Sequence, residues 1–367
     1  MKHTKRFAIP LLVLAVMAVF AFSSAKDKGG SYETLPIIHV PGNLAGGFDI
    51  SWVDSASGRY YLSDRTTTKG TGRVDVIDAK TDQFLFSIGG FAGSTGNRFT
   101  SGPAGVLTIH DEHELWAGDG DSTAKVVDLE DAPNAAPFAI PTGGKFRADE
   151  LAYDPADHII LVANDADTPP FVTFISQEHR NVRGHIYFPE AVFPDVLGGP
   201  PVNHGMEQPV WDQPTHRFYI SVPATVTNPN GEVDEINPRT MKITRRFPIH
   251  TPCGPAGLAL LPGQRLITSC GVVLDVKTGA TLATLSGVSG DEIWFNDGDD
   301  RVYFGSSPVG IVDANTLEVL PATLANENTH SVAADSHNNR IFVPDRGATN
   351  QGVGIRVYAD RAGEDDE

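Results

Sequence analysis

One short pattern recurs along the chain: Gly, a carboxylate or His, then a few mostly apolar residues. It opens at Asp49, Gly105, Asp149, Glu207, Gly257, Asp291 and His330. From Asp49 to His330 there are 281 residues in six steps, about 47 per step. A second apolar run follows each opener, usually starting with a basic residue, as at 59–62, 158–161, 217–220, 265–268, 301–304 and 340–343. In the second copy 114–117 takes this place. A third run tends to end in Asp, at Asp78, Asp128, Asp275 and Asp313, and a fourth follows in most copies, as at 84–88 and 281–285. β-Branched and aromatic enrichment between Gly, Asp and Asn turns marks these runs as strands.

Four antiparallel strands in each of seven such units predict an all-β, seven-bladed β-propeller. One blade cannot bury both faces of its sheet, whereas seven packed radially can. A two-sheet sandwich is the competing arrangement, but seven units at this spacing overfill it. The last unit supplies three strands, 331–334, 340–343 and 354–358, and segment 35–40 (LPIIHV) has no partner near it. That segment is expected to close the ring as the outer strand of blade seven, protecting an otherwise open seam. The 37 Gly and 26 Pro of the 367 residues fit blade punctuation, and with 40% hydrophobic residues the chain can bury a large core.

Three segments carry a family resemblance. RVDVIDAKTDQFLFSI in blade one, GVVLDVKTGATLATL in blade five and DRVYFGSSPVGIVDANTLEVL in blade six resemble the YVTN-type repeat of bacterial seven-bladed propellers, with its Val-Ile-Asp-x-x-Thr core. The resemblance implies the fold. It implies no single activity, because that superfamily mixes binding proteins, lactonases, lyases and haem or quinone domains. Blades three and four carry long insertions where the repeat is degraded.

Residues 1–25 read as a secretory signal: a basic start (MKHTKR), an apolar run from Phe7 to Phe22, and small residues Ser23-Ser24-Ala25 before the cut. Its apolar run is shorter than a comfortable span, so no membrane insertion is expected after cleavage. The organisation is therefore a leader (1–25), one propeller (32–360) and an acidic tail (361–367), acting as a monomer in the periplasm or outside the cell. The net charge is −18, and it becomes −21 without the leader, which holds three basic residues and no acid. Such acidity excludes nucleic acid as a partner. Export permits disulfides. The two cysteines, Cys253 and Cys270, flank a hairpin turning at Pro262-Gly263 and are expected to bond across its open end. Without CxxC spacing, a redox or metal role for them is disfavoured.

In a propeller the first strand of each blade lines the central channel, so the openers converge at one mouth. Asp49, Asp149, Glu207, Asp291 and His330 would form a ring of oxygen ligands with one imidazole, suited to Ca²⁺, Mg²⁺ or Mn²⁺ more than Zn²⁺. The same ring is also what a water-filled acidic channel looks like. Gly105 and Gly257 would leave coordination space or mark tight backbone contacts. By pleat alternation Glu150, Gln208 and Glu292 should turn into sheet packing or toward a neighbouring blade. Loops on the same rim offer Asp64-Arg65 and Asp345-Arg346 as a clamp for a carboxylate or phosphate, or as local pairs that stiffen the loops. Asn164-Asp165 and the weakly calcium-loop-like Gly118–Ser122 lie on that rim too. The Pro/Gly-rich connection 189–205 reads as a partial lid that brings His204 near Glu207 and His330.

No G-x-S-x-G elbow, H-E-x-x-H, P-loop, haem C-x-x-C-H or Rossmann context is present. Two functions stay open. One is a metal-assisted hydrolase or lyase acting on a small lactone- or ester-like molecule, with His330, His204 or Glu207 moving protons. The other is a non-catalytic propeller that binds a ligand or protein on the same face.

Overall fold

A computed structural model describes residues 32–192, 205–321, 324, 328–347 and 352–360. The leader 1–25, most of the 189–205 connection including His204, and the tail 361–367 lie outside the described residues. The described strands form seven four-stranded antiparallel sheets. Six are sequential meanders, and the seventh joins Tyr32–Thr34 to Gly354–Asp360, Arg340–Asp345 and Ala333–Asp335. The all-β, seven-bladed propeller expected from the repeat is therefore the fold.

Recurrent aspartates explain why each blade turns where it does. Asp78 Oδ1 accepts from the backbone N–H groups of Lys80 and Thr81. Asp275 and Asp313 repeat this on Thr278 and on Asn315 and Thr316. A carboxylate that mimics a backbone acceptor in this way nucleates a tight turn, so the Asp-x-x-Thr spacing is a device for joining the third strand to the fourth. Asp54, Asp154, Asp212 and Asp335 do the same at the ends of the innermost strands.

Pleat alternation then divides each blade's side chains between two interfaces. Tyr60 packs with Phe342 of blade seven, whereas the next residue, Tyr61, packs with Leu115 and Val127 of blade two. Leu161 joins the core between blades three and four, and its neighbours Ile160 and Val162 join the core between two and three. Apolar clusters of this kind occupy all seven blade-to-blade seams. Burying two faces per sheet makes the ring one cooperative core.

The ring closes through the N-terminal segment, a few residues earlier than expected. Tyr32, Glu33 and Thr34 pair with Asp360, Ala359 and Tyr358. Segment 35–40 continues alongside more loosely, through Leu35 N–H to Val357 O and an isolated bridge between Ile38 and Ile355. Pro36, which has no N–H to donate, keeps it from forming a full ladder. Cys253 and Cys270 are disulfide-bonded with Cα atoms 5.5 Å apart. They flank the hairpin in which Leu258 pairs with Thr268, as expected. No helix among the described residues is long and apolar enough to cross a membrane.

Candidate functional site

The openers do converge. Asp49, Asp149, Glu207, Asp291 and His330 all line one cavity of about 340 Å³ at a mouth of the central channel. Each sits at or just before the innermost strand of its blade, so the radial packing fixes their approach. Gly105 and Gly257 are openers for a different reason. A Cβ on Gly105 would lie 2.5 Å from Glu150 Cα, and one on Gly257 would lie 2.3 Å from the Asp291 carbonyl oxygen. They are close backbone contacts with the next blade, which only glycine permits, and not space left for a ligand.

Sequence reasoning placed Arg65 and Arg346 on this rim but missed Arg98 and Arg147. Arg65, Arg98, Arg147 and Arg346 line the same cavity. Arg147 is the hub: its guanidinium pairs with Asp149 at 2.5 Å, with Asp165 at 3.0 Å and with Asp49 at 3.5 Å. Its grip on Asp165 is bidentate, Nε to Oδ1 and Nη2 to Oδ2. Arg65 donates to Asp49, and His330 Nε2 lies 3.2 Å from Asp49 Oδ1. A signal for Arg147 was present in Arg147-Ala148-Asp149, because side chains two apart on an extended segment face the same way.

The charges divide the carboxyls into two kinds. Burial pushes Asp49 toward the neutral form, but Arg65, the His330 hydrogen bond and Arg147 outweigh it and hold the carboxyl well below the usual range. Glu207 goes the other way. It opens partly to the cavity but lies deep within the ring, and desolvation, reinforced by Asp165, Asp149 and Asp291, lifts it well above the ordinary value. Asp149 is raised too, by burial and by Asp165 and Asp49, against the pull of Arg147. Arg147 is itself raised, because its three aspartates outweigh its burial. One mouth thus holds carboxyls shifted in opposite directions side by side.

Among the described residues no group of three or more His, Cys, Asp or Glu is placed to hold a metal ion. Asp49 is already engaged by two arginines and a histidine, and Asp149 by Arg147. The guanidiniums supply the counter-charge that a divalent ion would have brought.

The proposed rim clamp also divides. Asp64 is buried, pairs with Arg73 at 2.6 Å and accepts from Thr66 N–H. Asp345 pairs with Arg356 at 2.7 Å and accepts from Asn328 and Gly347 N–H. Neither lines the mouth; both stiffen their loops. Asp119 likewise pairs with Lys125 and caps Ala92 N–H, which leaves Gly118–Ser122 structural. Their arginine neighbours do reach the site. Arg346 donates to the Phe48 carbonyl oxygen at 2.9 Å and lies 4.6 Å from the Phe48 ring centre. His330 stacks on that ring with centroids 4.9 Å apart and planes 6° apart. Among the described residues neither Arg346 nor Arg98 makes an ion pair, and partial desolvation pulls Arg346 below its usual basicity.

Known structures repeat the ring. The chain resembles Kuenenia stuttgartiensis hydrazine synthase with a TM-score of 0.65 and 12% identity, over 88% of this chain and 97% of that one. It resembles the WD40 β-propeller domain of Doa1 with a TM-score of 0.64 and 14% identity, over 90% and 97%. A chain of the mitotic checkpoint complex gives 0.60 and 13%, over 97% and 99%. No protein-family model and no curated protein matches the chain. These likenesses show a seven-bladed propeller and nothing finer, since such rings carry unrelated sites.

Inward of the mouth the channel changes character. Glu150, Gln208 and Glu292 line it there, and two of them reach neighbouring blades: Gln208 Oε1 accepts from Leu258 N–H, and Ser331 Oγ donates to Glu292. Alternation alone did not place them on the channel wall. Beyond them the lining is apolar and aromatic.

Proposed function

We propose that the protein is an exported YVTN-type propeller that binds a small, carboxylate-bearing organic molecule at its axial mouth and hydrolyses an ester or lactone bond in it. One observation carries this reading. Two guanidiniums without carboxylate partners among the described residues, Arg98 and Arg346, share a cavity with Glu207, whose carboxyl burial lifts well above its ordinary range. Guanidinium matches carboxylate in shape and charge. A raised carboxyl is what a general acid needs near neutral pH.

His330, oriented by ionised Asp49, takes a proton from a water that attacks the acyl carbon. Glu207 gives its proton to the departing alkoxide oxygen. The products are a carboxylic acid and an alcohol, and the His330 proton returns to Glu207. Arg98 and Arg346 hold the substrate's own carboxylate. Arg65 and Arg147 serve by fixing Asp49 and Asp149. Extracytoplasmic location is supported by the leader-like start and the disulfide.

A panel of carboxylate-bearing lactones and esters tests this by calorimetry and product release. Arg346→Ala should weaken binding about tenfold, the loss of one ion pair or hydrogen bond to charge. Glu207→Gln should keep binding and lose turnover. No binding and no turnover across the panel would sink the proposal. Binding without turnover would favour the second reading, a non-catalytic receptor, which the flat clamping of His330 between Asp49 and Phe48 supports.

A further inference from the structure

The other half of the channel is a second cavity, about 480 Å³, lined by the innermost strands of blades one to six. Three of the chain's four tryptophans wall it: Trp52, Trp211 and Trp294, with Tyr153 and Phe295. All five rings are only partly buried. Trp52 and Trp294 meet edge to face at 5.1 Å. Trp52 Nε1 donates to Thr108, and Trp211 Nε1 to Gln213, so these two indole N–H groups are already used and their carbon faces are what remains.

Glu150 stands where this aromatic funnel meets the charged mouth. It is 8% exposed and borders both cavities. Among the described residues its carboxyl makes no hydrogen bond and no ion pair. The other two polar side chains of that wall are engaged, Gln208 by Leu258 N–H and Glu292 by Ser331 Oγ. A deeply buried carboxyl without a partner is costly, and burial with Asp149 and Glu292 nearby lifts this one well above its ordinary range; a cation beside it would favour the ionised form. Here it faces a cavity walled by aromatic rings, whose faces attract cations.

We propose that this funnel is a separate binding site for a small organic cation, an amine or quaternary ammonium with an apolar body. Its body lies against Trp52, Trp211 and Trp294, and its charge meets Glu150. The site is independent of the carboxylate site at the mouth. Phosphates and carboxylates are the wrong sign for it, and a purely apolar molecule would leave Glu150 unanswered.

The test compares benzyltrimethylammonium with its uncharged isostere, neopentylbenzene, on the purified full chain. Tryptophan fluorescence reports the funnel, since the fourth tryptophan, Trp116, is fully buried between blades two and three. Calorimetry supplies the affinities. The cation should bind at least tenfold more tightly than the isostere. Glu150→Gln should abolish that preference and leave the isostere's affinity within about twofold. Trp211→Ala should weaken both probes and reduce the fluorescence change, which locates the site even if Glu150→Gln fails to fold. Equal affinities in the wild type, a preference that survives Glu150→Gln, or no binding of either probe would overturn the proposal. None of these outcomes touches the carboxylate panel, which reads Arg346 and Glu207.

Discussion

The two ends of one channel are built on opposite principles. At the mouth, arginines answer buried aspartates: Arg147 serves three of them, and Arg65 and His330 share one of those. At the far end, aromatic rings line an open space, and where that space meets the mouth Glu150 makes no hydrogen bond or ion pair among the described residues. The strands are the same in both places. What differs is which residue of each innermost strand is presented, the opener or its successors. A propeller can therefore carry two chemistries on one axis by changing a few positions per blade.

The sharpest way to break this contrast is to remove a hub. Arg147→Ala should destabilise the fold by about 3–5 kcal/mol, because it strands buried carboxylates. Trp211→Ala, at the aromatic end, should cost only about 1–2 kcal/mol, since its ring is only partly buried. Urea unfolding of both variants checks the order, and equal costs would erase the distinction. Next in size is Arg346→Ala, with about 1.4 kcal/mol of ligand affinity lost for a tenfold effect and far less change in folding stability.

Titration should separate the two kinds of carboxyl within the mouth. Glu207 and Asp149 are raised in the folded protein. The stability tied to their protonated forms is complete below their unfolded values, near pH 4, and is lost as pH climbs through the raised ones. Asp49 is lowered, so its contribution is present above about pH 4 and disappears only in strong acid. The melting temperature should fall as pH rises above about 4, and Glu207→Gln should flatten that fall; a slope unchanged in the variant would show that Glu207 is not its source. The smallest effect is expected from chelation. With arginines as the counter-charge, EDTA should shift the melting temperature by less than about 1 °C, and a large drop would restore the metal reading.

Much of this was legible in the chain and some was not. The blade count, the seam and the disulfide follow from spacing, because strands of a repeat must pair locally. The convergence of Asp49, Asp149, Glu207, Asp291 and His330 follows from the same repeat. Arg147 sits in a loop and Arg98 in a short 3-10 turn, both outside the repeat, where no periodicity marks them. Asp64 and Asp345 read as ligand clamps because sequence shows the Asp-Arg dipeptide but not the distant partner. Arg73 and Arg356, each on a neighbouring strand, claim those carboxylates first. The aromatic funnel has no sequence signature, because its tryptophans fall at different positions in their strands and share no motif.

The ring's closure has a mechanical meaning. Tyr32 lies opposite Asp360, so the chain enters and leaves blade seven at the same end of one antiparallel pair. A pull on those two points loads the hydrogen bonds one after another, like a zip, rather than all at once in shear. Arg301 stands where the zip would start: it bonds the Tyr32 hydroxyl at 2.6 Å, pairs with Asp360 and lies over the Tyr32 ring. Arg301 and Tyr303 of blade six, whose hydroxyl also bonds that of Tyr32 at 3.2 Å, are therefore the catch on the latch, and Arg301→Ala should lower the force needed to open the ring while leaving both ends of the channel intact.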